Sequence, residues 1–250
     1  MDVRRVISGL DALNSAGKEN EGEAYLERWY EDARAEGDYK SELSILSEML
    51  GQYRKCGSAG KGLDACEKAI AMVEKLGIGQ SATGATILIN AATTMKAFGK
   101  AKESIPIFLS CEETYQKTLE KGDYRMAPLY NNMALSYQDI SEYEKAEEYF
   151  FKAIDALGGI ENCENDKAAS YCNLAELYYA QGKDESSVNQ MLENAYVLLC
   201  TPTLRRDSYH SFTLSKCIPS FDYFGMFLYS KELKERKKVI DAQVIDELYK

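Results

Sequence analysis

Apolar positions along the chain fall into stripes that stop at turn residues and begin again. In APLYNNMALSYQDISEYEKAEEYFFKAI, residues 127–154, the side chains Tyr130, Met133, Ala134 and Tyr137 lie three and four residues apart. A polar break follows around Ser141, and Ala146, Phe150 and Ala153 then continue at the same spacing. This is the face of one α-helix, a turn, and the face of a second.

The same pattern recurs along the chain. Residues 127–153 align with 85–111, 43–69 and 168–194, at intervals of 42, 42 and 41 residues (127−85, 85−43, 168−127). The eighth place of each copy holds Leu50, Ala92, Ala134 and Ala175, and the eleventh Tyr53, Met95, Tyr137 and Tyr178. Turns are expected at the fifteenth place, at Gly57, Gly99, Ser141 and Gly182. The second helix carries Gly62, Ser104, Ala146 and Ser187 at the twentieth place, then Cys66, Phe108, Phe150 and Met191 at the twenty-fourth. The twenty-seventh has Ala69, Cys111, Ala153 and, out of pattern, Asn194. Small residues opposite aromatics let two antiparallel helices approach closely, and each pair leaves an apolar face for the next pair to cover.

These positions resemble the tetratricopeptide repeat, and the period near 42 is similar to the longer form found in kinesin light chains. The resemblance implies an all-α fold, a right-handed superhelical solenoid of antiparallel helix pairs. On that basis 1–250 is read as a single array with repeats at about 43–76, 85–121, 127–158 and 168–200. Residues 3–36 are read as an atypical first hairpin, with Tyr25 and Trp29 as core or cap, and 206–250 as a degenerate capping hairpin and tail. Asp38 and Asp123, each after a Gly, are expected to cap the helices that follow. The segments MDVRRVI and KCIPSFDYFGMF also resemble tetratricopeptide proteins of Gram-positive anaerobes, a likeness that carries no activity with it.

The sixth place points away from the buried stripe, and it holds Asn90, Asn132 and Asn173, with Glu48 in the first copy. In the family resembled, this position looks into the concave groove. A carboxamide both donates and accepts, so it can pair with a peptide backbone whatever the side chains. Hairpins stack about 10 Å apart and an extended chain advances about 3.3 Å per residue, so one amide would meet about every third residue. The competing role for these amides is to tie one hairpin to the next. Around them, Thr93, Leu135 and Glu176 hold the ninth place, Arg54, Lys96 and Tyr179 the twelfth, and Asp139 the thirteenth. Arg54, Lys55 and Lys96 would suit an acidic peptide at one end, and Glu176 with Tyr179 makes the other end different.

Net charge narrows the partners. The chain of 250 residues carries a formal charge of −10, which disfavours nucleic acid as a partner. Seven scattered cysteines and a single histidine fit neither a zinc site nor a disulfide framework. His210 is expected on a helix surface, and there is no phosphate-binding glycine loop. No catalytic residues, metal or cofactor are therefore assigned. The start of the chain reads as neither secretory signal nor membrane anchor, and no segment has the roughly 18 unbroken apolar residues of a membrane span, so a cytoplasmic location is expected. The function expected is a peptide-binding or tail-binding scaffold. The alternative is an intracellular receptor for a short signalling peptide, although no output domain is recognised. The aromatic C-terminal segment, with Phe221, Tyr223, Phe224, Phe227 and Tyr229, is read as a cap or a homodimer surface.

Overall fold

The computed structural model describes residues 1–248, with side chains described to residue 243; the last two residues of the tail expected at 206–250 lie outside the described residues. Its regular elements are twelve α-helices. They divide into two compact units, 1–120 and 121–250. The first holds α1 (Val3–Ser15), α2 (Glu19–Ala35), α3 (Tyr39–Cys56), α4 (Ala59–Lys75), α5 (Ala82–Ala97) and α6 (Ala101–Thr118). The second holds α7 (Met126–Asp139), α8 (Tyr143–Ala156), α9 (Glu164–Ala180), α10 (Glu185–Leu199), α11 (Ser208–Tyr223) and α12 (Phe227–Leu248). The fold is an all-α helical repeat: consecutive helices pair as hairpins, and the first helices of successive hairpins also touch, α1 with α3, α3 with α5, α7 with α9 and α9 with α11.

The repeated residues account for this packing. All four eighth-place side chains, Leu50, Ala92, Ala134 and Ala175, are fully buried, as are Phe108 and Phe150 at the twenty-fourth place. Each such phenylalanine removed from water is worth about 1.5–3 kcal/mol. Ser104 and Ala146 at the twentieth place are also without exposure. At Gly62 a Cβ would run into the ring of Phe98, so a backbone without a side chain is what lets that ring settle there.

One turn closes each of the four repeated hairpins. Gly57, Gly99, Ser141 and Gly182 all have positive φ, at 71°, 81°, 62° and 72°. After each, the next N–H donates to the eleventh-place carbonyl: Ser58 to Tyr53, Lys100 to Met95, Glu142 to Tyr137 and Lys183 to Tyr178, at 2.8–3.0 Å. A left-handed residue followed by this bond satisfies helix-end carbonyls that would otherwise have no partner. Asp38 caps α3 as expected, accepting from the Ser41 N–H at 3.1 Å. Asp123 does not cap α7. The helix begins three residues later, at Met126, and the Asp123 carboxylate instead takes the backbone N–H and guanidinium of Arg125 at 2.7–2.9 Å.

Tyrosine–glutamate bonds add to the stacking. Tyr53 donates to Glu27 at 3.0 Å in the first unit. In the second unit Tyr178 donates to Glu147 at 2.9 Å. Burial pushes the Glu147 carboxyl up, but contacts with Lys183, Tyr178 and Gln181 outweigh it and hold the group below its ordinary value.

Ser141 is the one of the four turns in which a side chain must tolerate the left-handed region, a strain of about 1 kcal/mol. Ser141→Gly is expected to raise the unfolding free energy by about that amount, as a higher urea midpoint with unchanged slope.

Candidate functional site

The first helices carry the residues singled out from the sequence. In the first unit, Asn90 on α5 is half-buried and its Nδ2 donates to Ser47 Oγ on α3 at 2.9 Å. In the second unit, Asn173 on α9 is half-buried and its Nδ2 donates to Asn131 Oδ1 on α7 at 3.1 Å. Ser170 donates to the same oxygen at 3.3 Å. Both bonds follow one rule, with the sixth place of a repeat donating to the fifth place of the repeat before it. The next joint places two buried thiols, Cys172 and Cys217, at the equivalent positions, and the neighbouring Cys217 together with burial pushes the Cys172 thiol well above its ordinary value.

Asn132, on α7, is not tied in this way. Among the described residues, the half-buried Asn132 carboxamide makes no hydrogen bond. Asn90 and Asn173 thus have amide nitrogens already engaged between helices, each keeping Oδ1 as an acceptor. Asn132 keeps both its donor and its acceptor.

Arg54 is part of the framework rather than an open charge. Its Nη1 donates to the Asn90 carbonyl at 3.1 Å and to Thr94 Oγ1 at 2.5 Å. Burial lowers its pKa below the ordinary arginine value. Lys55 is 3.5 Å from a Glu19 carboxylate oxygen. Lys96 is half-buried on α5. Thr93 turns its hydroxyl back onto the Ile89 carbonyl at 2.7 Å. Leu135 is half-buried on α7, and Asp139 is exposed at the end of that helix.

Glu176 and Tyr179 come together in one place. With Pro219, Ser220, Tyr223 and Phe224 they line a cleft of about 400 Å³ between α9 and α11. Glu176 Oε1 accepts from Ser220 Oγ at 2.7 Å, and Tyr179 is 58% exposed. The α11 side of this cleft was not among the predicted groove residues. A fifth copy laid at an interval of 44 sets Ser220 against Glu176 and Tyr223 against Tyr179 (220−176, 223−179), and that register is the signal which could have found it.

His210 is not on a surface. It is fully buried, and its Nδ1 lies 2.7 Å from Asn165 Oδ1. Burial and the nearby Arg236 and Arg206 lower its pKa to about 4 against the opposing pull of Asp207. A neutral histidine held by one buried amide is a core residue. Among the described residues no group of three or more His, Cys, Asp or Glu could hold a metal ion, and no helix is long and apolar enough to cross a membrane.

Residues 125–193 match the family model described as tetratricopeptide repeat. Over that segment the chain is tetratricopeptide repeat. Solved structures of this kind are similar over most of its length. BtubC (BKLC) from P. vanneervenii is 19% identical with a TM-score of 0.60, covering 88% of this chain and 90% of that one. A putative kinesin light chain of Podosopora anserina with nearly identical TPR-like repeats is 17% identical with a TM-score of 0.58, covering 80% and 95%. MamA from Desulfovibrio magneticus RS-1 is 15% identical with a TM-score of 0.54, covering 81% and 98%. At these identities the likeness speaks for the tetratricopeptide fold alone. No curated protein matches the sequence.

The two neighbouring amides of α7 give a direct test of their separate roles. Asn131→Ala removes the acceptor of Asn173, while Ser170 keeps the Asp166 carbonyl at 3.1 Å, and is expected to cost about 1 kcal/mol in urea unfolding. Asn132→Ala is expected to change stability by less than about 0.5 kcal/mol.

Proposed function

We propose that this chain is a non-catalytic protein–protein interaction module that holds an extended peptide, or the tail of a partner protein, along the first helices of its repeats. The observation that carries this reading is the α9–α11 cleft, where the ninth-place Glu176 and twelfth-place Tyr179 stand exposed beside apolar walls. These are the places that face the groove in the repeat family. The amides of the sixth place support the same reading, since Asn132 has its whole carboxamide available and Asn90 and Asn173 retain an acceptor oxygen. A peptide backbone needs such groups at intervals, and apolar walls between them add area without demanding one side chain.

Arg54 contributes to this reading as a support. Its bonds to Asn90 and Thr94 fix the helix that presents Asn90. An acidic peptide would therefore find less positive charge in the first unit than the bare sequence suggests. The proposed partner is a protein, with no nucleic acid and no membrane surface involved.

The test is capture of bound peptides by the intact protein, compared with a variant carrying Asn90→Ala, Asn132→Ala and Asn173→Ala. The triple variant is expected to retain less than a tenth of the peptide held by the parent. Asn132→Ala alone, which leaves both inter-helix bonds in place, is expected to lower capture at least threefold at unchanged stability. Undiminished capture by a folded Asn132→Ala protein would remove the asparagines from the binding surface.

A further inference from the structure

The α9–α11 cleft also has the chemistry to select its ligand. Three aromatic rings meet there edge to face: Tyr179 with Tyr223 at 5.7 Å and 83°, Tyr179 with Phe224 at 5.4 Å and 67°, and Tyr223 with Phe224 at 4.9 Å and 89°. In such a pair the edge of one ring rests on one face of the other and leaves the opposite face uncovered by that contact. Tyr179 and Tyr223 are 58% and 68% exposed, so electron-rich ring surface is open to a ligand.

Glu176 stands one turn before Tyr179 on the same helix. Ser220 satisfies one carboxylate oxygen at 2.7 Å, and among the described residues no lysine or arginine pairs with the other. A neutral apolar ligand would cover this carboxylate without a counter-charge, which is costly. An anionic ligand would be repelled by it. A cation meets both demands, the ring faces through their quadrupoles and the carboxylate by direct pairing. Arginine does so best, because its flat guanidinium can stack on a ring while its N–H groups reach a carboxylate. The net charge of −10 draws basic segments from a distance.

We propose that the α9–α11 cleft receives an arginine side chain from an extended basic segment of the partner protein, with Glu176 as its counter-ion and Tyr179 and Tyr223 as its stacking faces. The inference rests on the peptide-binding role proposed above and adds the chemistry of what is bound. It also reverses the expectation of an acidic ligand that Arg54, Lys55 and Lys96 suggested from the sequence.

The experiment is a nuclear magnetic resonance titration of the full chain with three glycine–serine nonapeptides. They carry arginine, its uncharged isostere citrulline, or glutamate at two positions three residues apart. The arginine peptide is expected to shift backbone signals of residues 176–179 and 219–224, with a Kd at least tenfold lower than that of the citrulline peptide. The glutamate peptide is expected to shift none of them. Glu176→Gln and Tyr223→Leu should each weaken the arginine peptide at least fivefold, Tyr223→Phe should retain it, and Glu144→Gln on the exposed face of α8 should leave it unchanged. Citrulline or glutamate peptides that bind the same residues as tightly as arginine would overturn the charge assignment and leave the peptide-binding role standing. Equal weakening by Glu144→Gln and Glu176→Gln would reduce the effect to general attraction and overturn the cleft. If none of the three peptides shifts any first-helix signal, both readings fall together.

Discussion

The structure depends on a shortage of cover. A two-helix hairpin of about 35 residues has more apolar surface than its own two helices can hide, so each hairpin is stable only against the next. The eighth place decides how close that next hairpin can come. Alanine at 92, 134 and 175 is buried without any exposure, and the aromatics of the second helices fill the space that such small side chains leave. The positive-φ turns then send the chain back in the same direction each time. Sequence constraint is concentrated in one small residue, one aromatic and one turn per repeat, and the first-helix surface is left free to vary.

That freedom is used in two ways. At one joint within each unit, a sixth-place asparagine ties one first helix to its neighbour, through Asn90 and Ser47 and through Asn173 and Asn131. One turn further along, the ninth and twelfth places reach past the joint. In α9 they hold Glu176 and Tyr179, which open onto the cleft shared with α11. Structural ties and candidate binding groups therefore alternate along a single helix face, which explains why an asparagine row suggests both roles at once.

The fold was legible because its determinants are local and periodic. The intervals of 42, 42 and 41 residues place the turn at Gly57, Gly99, Ser141 and Gly182, and the left-handed backbone stands at each of them. What failed to show in the sequence depends on partners distant along the chain. Nothing local to Asn90 or Asn173 says that its amide nitrogen is taken, because the acceptors lie 43 and 42 residues earlier. Arg54 reads as open charge until Asn90 and Thr94 are seen beneath it. His210 reads as surface because its partner Asn165 is 45 residues away. Asp123 has the composition of a cap, but the next helix starts too late to use it. The α11 wall of the cleft was hidden by a lengthened interval, which moves Ser220 and Tyr223 out of the register of the other four copies.

The central claim is that the first helices of the second unit, and not the second helices, form the ligand surface. Backbone hydrogen exchange of the intact protein with and without a captured peptide tests it most directly. Within the second unit the account predicts added protection confined to α7, α9 and α11, strongest over residues 173–179 and 219–224, with α8 and α10 unchanged. Protection centred on α8 and α10, with α9 and α11 exchanging as in the free protein, would contradict it.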